Sequence, residues 1–435
     1  MSAESSELRS LWRLALPLAL AQAGQALMGL VDTGVLGRLS AAAQAGAGLG
    51  NSLTFTCTFF GMGVMLALDP LVSQAIGAGE PGRARTHYWQ GVWLALLTSA
   101  VVMVPVGLIP FALEPFGVTP PIAEAARTYM WWRLPGVAGV LLFVSARSYL
   151  TGTGRVAITF VAMVIANVAN LALDIGLVFG LGWGVAGASI ATVLCTWLQF
   201  GVLVLGLGPA PEGTQRRFDR VEVLRALRIG APIGLHFIAE SGVFSLTGAL
   251  AARLGEAAGA AHVVALNWAS LTFCVASGIG SAASTRVGWG VGRDDTPAAR
   301  RAGFLAFGSV AIFMSLAAIV FLVAPHAMAS LMTNDALTID TVVSLFVVVA
   351  VFQVSDGVQA VGAGALRGTG DTTYTFGANV VGHWLVGLPI AWLLGVQGSL
   401  GVVGLWWGLS AGLTAVAIAL MLRFNRTTQR RIARL

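Results

Sequence analysis

Apolar stretches long enough to cross a lipid bilayer recur along the whole chain, and this recurrence constrains the fold more than any other feature. About 20 apolar residues suffice for one crossing, and only short polar segments separate these stretches. The 435-residue chain is 57% hydrophobic and 10% charged, with a mean hydropathy of +0.82, whereas soluble domains are about a quarter charged. The sequence therefore predicts an all-α polytopic membrane protein.

The polar breaks divide the chain into twelve predicted membrane-spanning helices. An even number of helices places both termini on the same side of the membrane. The approximate spans are 11–37, 48–77, 88–112, 121–150, 155–181, 185–208, 224–252, 259–288, 299–327, 337–366, 373–395 and 399–422.

The positions of the basic residues predict the orientation of these helices. All 25 basic residues are arginines, and only Arg38, Arg127, Arg133 and Arg253 fall outside the two tails and the even-numbered loops. By the positive-inside rule, both termini are expected to be cytoplasmic. The net charge of +6 then requires no nucleic-acid partner. A basic chain without lysine fits a GC-rich bacterial genome, and we expect a multi-pass protein of the bacterial inner (plasma) membrane.

The two halves of the sequence resemble each other at an offset of about 216 residues. "SLTF" occurs at 52–55 and again at 270–273, and "LTGTGR" at 150–155 corresponds to "LRGTGD" at 366–371. A duplicated unit of six helices inserts twice in the same orientation, which predicts two lobes related by a parallel pseudo-two-fold axis.

The predicted domains are an N-lobe with helices 1–6, a cytoplasmic linker, and a C-lobe with helices 7–12 and a basic cytoplasmic tail. Rocking of two such lobes can expose a site to each side of the membrane in turn. The corresponding ranges are 1–208, 209–223 and 224–435.

Four of the 19 acidic residues fall deep inside predicted helices: Asp32, Asp174, Glu240 and Asp356. A charge at the centre of a membrane costs about 3 kcal/mol on insertion scales, so such residues usually face a cavity or a partner. An unpaired carboxylate in apolar surroundings favours a bound proton or metal cation. The acids are therefore candidate proton or sodium sites, although an acid hydrogen-bonded to a neighbouring helix would satisfy the same pattern.

Two further features accompany these acids. Asn167 and Asn170 precede Asp174 by seven and four residues and share its helical face, so that amide and carboxylate oxygens can serve a hard cation or a proton relay. Either asparagine can instead join helices by hydrogen bonds. Pro17 lies inside helix 1, fifteen residues before Asp32, and is a candidate helix bend.

Six segments of the chain match those of a known family: "LALPLAL", "VDTGVLGRLS", "LDPLVSQAIGAGE", "NVANLALDIGLVFGLGWGVAGASIAT", "IGAPIGLHFIAESGVF" and "QVSDGVQAVGAGALRGTGDT". Together they resemble the multidrug and toxic compound extrusion (MATE) transporters, and most closely their NorM-like branch. The resemblance covers essentially the whole chain.

The resemblance implies a MATE fold, a function and a set of site residues. Glu240 and Asp356 look like the C-lobe pair that binds the coupling cation, and Pro17 looks like the bend in helix 1. The residues that look like the N-lobe cluster for a proton or sodium ion are Asp32, Asn170, Asp174 and Thr192.

The implied function is antiport rather than catalysis. Family members export organic, often cationic or aromatic, compounds by alternating access, driven by H⁺ or Na⁺, with no other cofactor and no metal beyond the coupling ion. The expected partners are small organic substrates and the surrounding lipid bilayer. The expected oligomeric state is a monomer. One position departs from the NorM pattern, since Phe352 stands where a tyrosine can precede the helix 10 acid.

Other functions fit the residues less well. A lipid-linked oligosaccharide flippase of related architecture is the alternative, but it is expected to carry basic residues in its cavity, whereas the deep charges here are acidic. A carrier of the major facilitator type also has twelve helices, and "GAGEPGRAR" resembles its helix 2–3 motif only loosely. An intramembrane enzyme needs a nucleophile and base or metal-binding spacing, and the sequence shows neither.

Overall fold

In the computed structural model, which describes residues 3–435 except for the side chains of residues 3–5, 30 and 33, the chain is built from α-helices. Among the described residues, twelve helices are long and apolar enough to cross a membrane, which confirms the predicted number. A short helix, Pro325–Ser330, lies between the ninth and tenth. The twelve helices are α1 (Ser6–Gly37), α2 (Ala41–Gly77), α3 (Pro81–Phe111), α4 (Pro120–Gly152), α5 (Ala157–Gly180), α6 (Gly184–Gly206), α7 (Arg220–Arg253), α8 (Glu256–Gly292), α9 (Thr296–Val323), α10 (Ala336–Thr369), α11 (Thr372–Gln397) and α12 (Gly401–Thr427).

Several of these helices depart from regular α-geometry, and the sequence explains part of this. In α2 the α-helix ends at Met65 and resumes at Leu68, because Pro70 lacks an N–H and its ring meets the carbonyl four residues earlier. By contrast, α1 passes through Pro17 as one continuous helix. The predicted bend at Pro17 stays a prediction.

Helices α5 and α11 contain π-helical turns. In α5 such a turn spans Ile175–Gly180 and begins directly after Asp174. In α11 the turns span Val381–Gly387 and Trp392–Gln397. Such turns are rare and occur frequently at functional sites.

The chain divides into two compact units. The first comprises Met1–Ala19 together with Leu235–Leu435, and the second comprises Leu20–Gly234. The divisions fall inside α1 and α7, two residues after Pro17 and two residues after Pro232. Linker 209–223 lies wholly in the second unit. The lobe boundaries at 208 and 224 therefore stay predictions from the sequence.

Within the first unit, glycines bring α8 and α10 into backbone contact. A Cβ atom on Gly364 would lie 2.1 Å from the carbonyl oxygen of Gly280, and one on Gly368 would lie 2.5 Å from that of Ser284. Small residues of this kind allow membrane helices to approach closely and to gain packing energy that lipid cannot supply. The contact fixes the position of α10, which carries Asp356.

The segment that follows the last helix of each six-helix half packs against the start of another helix in the same unit. In the second unit, Gln90 at the start of α3 donates to the carbonyl oxygen of Arg217 (2.8 Å) and accepts from the amide of Asp219 (3.0 Å). In the first unit, Arg300 at the start of α9 donates to the hydroxyl oxygen of Thr428 (3.0 Å), directly after the end of α12. In each unit, the segment after the last helix is thus held by a side chain of an earlier helix.

Candidate functional site

The second unit brings together the four predicted N-lobe residues, which come from three helices. Asp32 lies on α1, Asn170 and Asp174 on α5, and Thr192 on α6. The hydroxyl of Thr192 donates to Oδ2 of Asp32 (2.9 Å) and also to the carbonyl oxygen of Ala188 in its own helix (2.9 Å). Asp174 and Asn170 are the other polar neighbours of the Asp32 carboxyl group. The family resemblance grouped all four residues in one cluster, and the structure shows them together.

This cluster holds an unusual number of buried polar atoms without a partner. Asn170 and Asp174 are fully buried, and Asp32 is 7% exposed. Within the described part of the chain, Oδ1 of Asp32, both carboxyl oxygens of Asp174 and both amide atoms of Asn170 lack a hydrogen-bond partner when both acids are ionised. Once one of the two acids is protonated, Asp32 and Asp174 are close enough to hydrogen-bond to each other. Since an unsatisfied buried polar group costs about 1–3 kcal/mol, the cluster gains by taking up a proton or a cation. Oxygen ligands of this type suit hard cations.

Tyr129, which sequence analysis missed, lies close to this cluster together with Arg133. Both residues lie on α4, one turn apart, with the Arg133 guanidinium 5.9 Å from the centre of the Tyr129 ring. The Arg133 charge acts on the Asp32 carboxyl group, and the Tyr129 hydroxyl donates to Oδ1 of Asn51 (3.2 Å). The spacing of four residues on one helix was visible, but nothing in the sequence showed that this face of α4 meets Asp32.

Asn167 has the structural role that the sequence left open. Its side-chain amide donates to the carbonyl oxygens of Gly24 on α1 (3.2 Å) and Met163 on α5 (3.0 Å). It therefore joins α5 to α1 one helical turn away from the cluster.

The first unit contains the second acidic cluster, formed by Glu240 on α7 and Asp356 on α10. Both oxygens of Glu240 have partners. Oε2 lies 3.1 Å from Nε2 of His236, and Oε1 accepts from the side-chain amide of Gln359 (3.3 Å). Asp356 is 6% exposed, and the charge that acts on it is that of Glu240. The predicted C-lobe pair therefore shares one buried region with two further polar residues.

His236 and Gln359 were not predicted as site residues, although their spacing gave a signal. His236 precedes Glu240 by four residues and Gln359 follows Asp356 by three, so each shares a helical face with its acid. Sequence analysis alone does not show that the two faces meet.

A further histidine lies near Glu240 on the π-helical part of α11. The charge of His383 acts on Glu240, and Nδ1 of His383 lies 3.3 Å from the carbonyl oxygen of Asn379. Among the described residues, Nε2 of His383 and both amide atoms of Asn379 have no hydrogen-bond partner. His383 itself lies within the π-helical turn Val381–Gly387, a local irregularity that hydrophobic spacing along the helix does not reveal.

Phe352, which replaces the expected tyrosine, belongs to an aromatic cluster. Its ring centre lies 5.2 Å from that of Trp406 and 6.1 Å from that of Phe244, both at steep angles typical of edge contacts. The residue thus contributes packing one helical turn before Asp356 and offers no oxygen to a cation.

Comparison with known proteins identifies the family. The MatE family model matches residues 17–175 and 232–393. The chain is 35% identical to the multidrug resistance protein NorM of Burkholderia vietnamiensis, covering 97% of this chain and 94% of that protein. It is 33% identical to NorM of Aliivibrio fischeri, covering 96% and 94%. The chain belongs to the MATE family.

Solved structures of MATE-type transporters share the fold. The eukaryotic MATE transporter AtDTX14 matches 99% of this chain with all of its own, at a TM-score of 0.89 and 20% identity. A MOP superfamily transporter from Pyrococcus furiosus, described as having a binding pocket of reverse polarity, matches 97% of this chain and 96% of its own at a TM-score of 0.90 and 19% identity. At such identities the likeness establishes the fold alone.

Membership of the MATE family settles three predictions made from the sequence. The resemblance to NorM proteins is confirmed, the predicted MATE fold with twelve membrane-spanning helices is confirmed, and the chain is a transporter rather than an enzyme. The roles assigned to individual site residues remain predictions that rest on the geometry described above.

Proposed function

We propose that this MATE transporter is an antiporter that exports organic, cationic or aromatic compounds from the cytoplasm in exchange for H⁺ or Na⁺. One observation supports this above all others. The four acids that the sequence places deep in the membrane assemble into two clusters, one in each compact unit, in which Asp32, Asp174 and Asp356 are buried and Glu240 is partly exposed, and the cluster at Asp32 keeps carboxylate oxygens without partners. The NorM relatives carry names that refer to multidrug resistance.

Charge balance supplies the physical basis of the exchange. A buried carboxylate without a counter-charge is costly in low-dielectric surroundings, so each cluster is expected to hold a proton, an inorganic cation or a cationic substrate at every stage. Substrate shifts the equilibrium between inward-open and outward-open states only through its different affinity for the two states. Competition between substrate and coupling ion for the same carboxylates supplies that difference.

The proposal includes the setting of the transporter. We infer that both termini lie in the cytoplasm, because the arginines concentrate in the two tails and in alternate loops, and we propose a monomer in the bacterial inner membrane. The proposed partners are the organic substrate, the coupling ion and the lipid bilayer.

Gradient-driven transport in liposomes tests the proposal. Uptake or efflux of a fluorescent organic cation is measured under an imposed pH gradient and, separately, under a sodium gradient. The parent protein is expected to follow at least one gradient, whereas Glu240→Gln and Asp356→Asn are expected to lose gradient-driven transport. Glu256→Gln and Asp340→Asn, which change exposed acids at the ends of α8 and α10, serve as matched controls and should behave like the parent.

Two outcomes would contradict the proposal. Full gradient-driven transport by both site variants would remove Glu240 and Asp356 from the mechanism. Absence of any gradient-driven transport by folded parent protein would contradict ion-coupled export and favour the alternative function, a lipid-linked oligosaccharide flippase.

A further inference from the structure

We propose that His236 carries the proton in the cluster of Glu240 and Asp356, so that an organic cation that pairs with Glu240 displaces a proton from His236. This inference rests on the proposed export function and specifies its coupling ion in the first unit. The contact between the two side chains is direct. Nε2 of His236 lies 3.1 Å from Oε2 of Glu240, and the His236 side chain is 5% exposed.

The groups that surround Glu240 come from three helices, and they leave His236 as its direct ionisable partner. On α7 the partner is His236 itself. On α10, the amide of Gln359 donates to Oε1 of Glu240 at 3.3 Å and lies 3.5 Å from Nε2 of His236, and the Asp356 carboxyl group lies within the electrostatic reach of Glu240. On α11, His383 acts on Glu240 through its charge, while its Nδ1 contacts the carbonyl oxygen of Asn379.

This donor set suits a proton carrier better than a sodium ion. Hard metal cations are bound by several oxygen ligands, yet both oxygens of Glu240 already face nitrogen atoms. An imidazole exchanges its proton near neutral pH, and both of its nitrogens are donors once it is protonated. The cluster at Asp32 has the opposite character, since its unpartnered carboxyl oxygens leave room for an ion with oxygen ligands.

The internal repeat shows that this arrangement is particular to one unit. At the offset of 216 residues, Glu240 corresponds to Gly24 and His236 corresponds to Leu20. The second unit therefore has neither the acid nor the imidazole at this level, and it builds its acidic cluster from other positions.

The exchange balances charge and atoms. In the resting state the proton is bound to His236 and the imidazolium pairs with the Glu240 carboxylate. When an organic cation takes the imidazolium's place, two positive charges would lie within a few ångströms of each other in a low-dielectric site, which is strongly unfavourable. The Nε2–H bond therefore breaks, the electron pair stays on nitrogen, and the proton passes to water on the open side of the protein.

Counting protons on binding tests this assignment directly. Binding of tetraphenylphosphonium to the purified protein in nanodiscs is measured by calorimetry near pH 6 in buffers with different ionisation enthalpies. The parent protein is expected to release protons on binding. His236→Gln keeps a donor beside Glu240 and should still bind, but release about one proton fewer per bound cation. His326→Gln changes an exposed histidine of the same unit and should match the parent.

The remaining outcomes would overturn either the role of His236 or the proposed substrate class. Unchanged proton release from His236→Gln would overturn the proposal and assign the proton to a carboxylate. If the variant proves unstable, nitrogen NMR of labelled histidines in the parent provides the test, since the His236 imidazole should change from the protonated to the neutral form when tetraphenylphosphonium binds, and no change overturns the proposal. Failure of the folded parent to bind tetraphenylphosphonium would instead count against organic cations as its substrates.

Discussion

Replacing Gly364 by alanine should destabilise the protein by an amount set by the contact between α10 and α8. The new Cβ atom would lie 2.1 Å from the carbonyl oxygen of Gly280, about 1.3 Å short of the 3.4 Å at which ordinary contact begins. Because the opposing atoms belong to the backbone, they cannot rotate away, and the two helices must separate. Overpacking of this kind costs about 1–3 kcal/mol, and we expect the upper half of that range.

A matched glycine separates this cost from the intrinsic effect of alanine. A Cβ atom on Gly308 of α9 would meet no neighbouring atom within 4 Å, so Gly308→Ala gains only the helix propensity of alanine, about 1 kcal/mol. Both variants share that gain, and the difference between their free energies of unfolding isolates the overpacking cost. The assay is unfolding by SDS in mixed micelles followed by tryptophan fluorescence. Equal free energies for the two variants would refute the close approach of α8 and α10.

Three further predictions concern other contacts. Thr192→Val should impair coupled transport, because it removes a hydrogen bond to Asp32 of a type that contributes about 1.5–3 kcal/mol, whereas Thr192→Ser should retain transport; equal activities would contradict a role for the hydroxyl. The hydrogen bond and positive charge of Arg431 lower the pKa of Asp294, so this contact stabilises the docked tail above the ordinary aspartate pKa of about 3.9 and is lost as pH falls through the lowered value. Limited proteolysis should therefore find the tail protected at neutral pH and cleaved more readily in strong acid, and Arg431→Gln should abolish the difference. Gln90→Ala, which removes two hydrogen bonds to the linker backbone, should speed tryptic cleavage of the linker, and an unchanged rate would show that other contacts hold it.

The sequence was sufficient to predict the fold class and the acids, for a physical reason. Hydropathy and the rarity of charge in a bilayer act on single positions, so twelve apolar stretches and four deep acids can be recognised without knowing which helices touch. The grouping of Asp32, Asn170, Asp174 and Thr192 came from the family resemblance. The structure shows them in one cluster.

The remaining parts of both clusters depend on tertiary contacts and irregular helix geometry. His236 and Gln359 matter because α7 and α10 turn their polar faces toward each other. His383 reaches the neighbourhood of Glu240 from an α-helix interrupted by π-helical turns. Neither the pairing of helix faces nor a local change of helical register is encoded in the spacing of residues along one helix.

The central claim is that an organic cation and a coupling ion exchange at the buried carboxylates, and a flux measurement on one vesicle population tests it most directly. Liposomes containing the transporter, a pH-sensitive dye and a sodium-sensitive dye are preloaded with an organic cation and diluted into medium without it, with equal pH and equal sodium on both sides. Downhill efflux of the organic cation should move the coupling ion into the lumen, seen as acidification for H⁺ or as a rise in sodium for Na⁺, and Glu240→Gln should abolish this movement. Efflux from the parent protein with no inward movement of either protons or sodium would contradict the account.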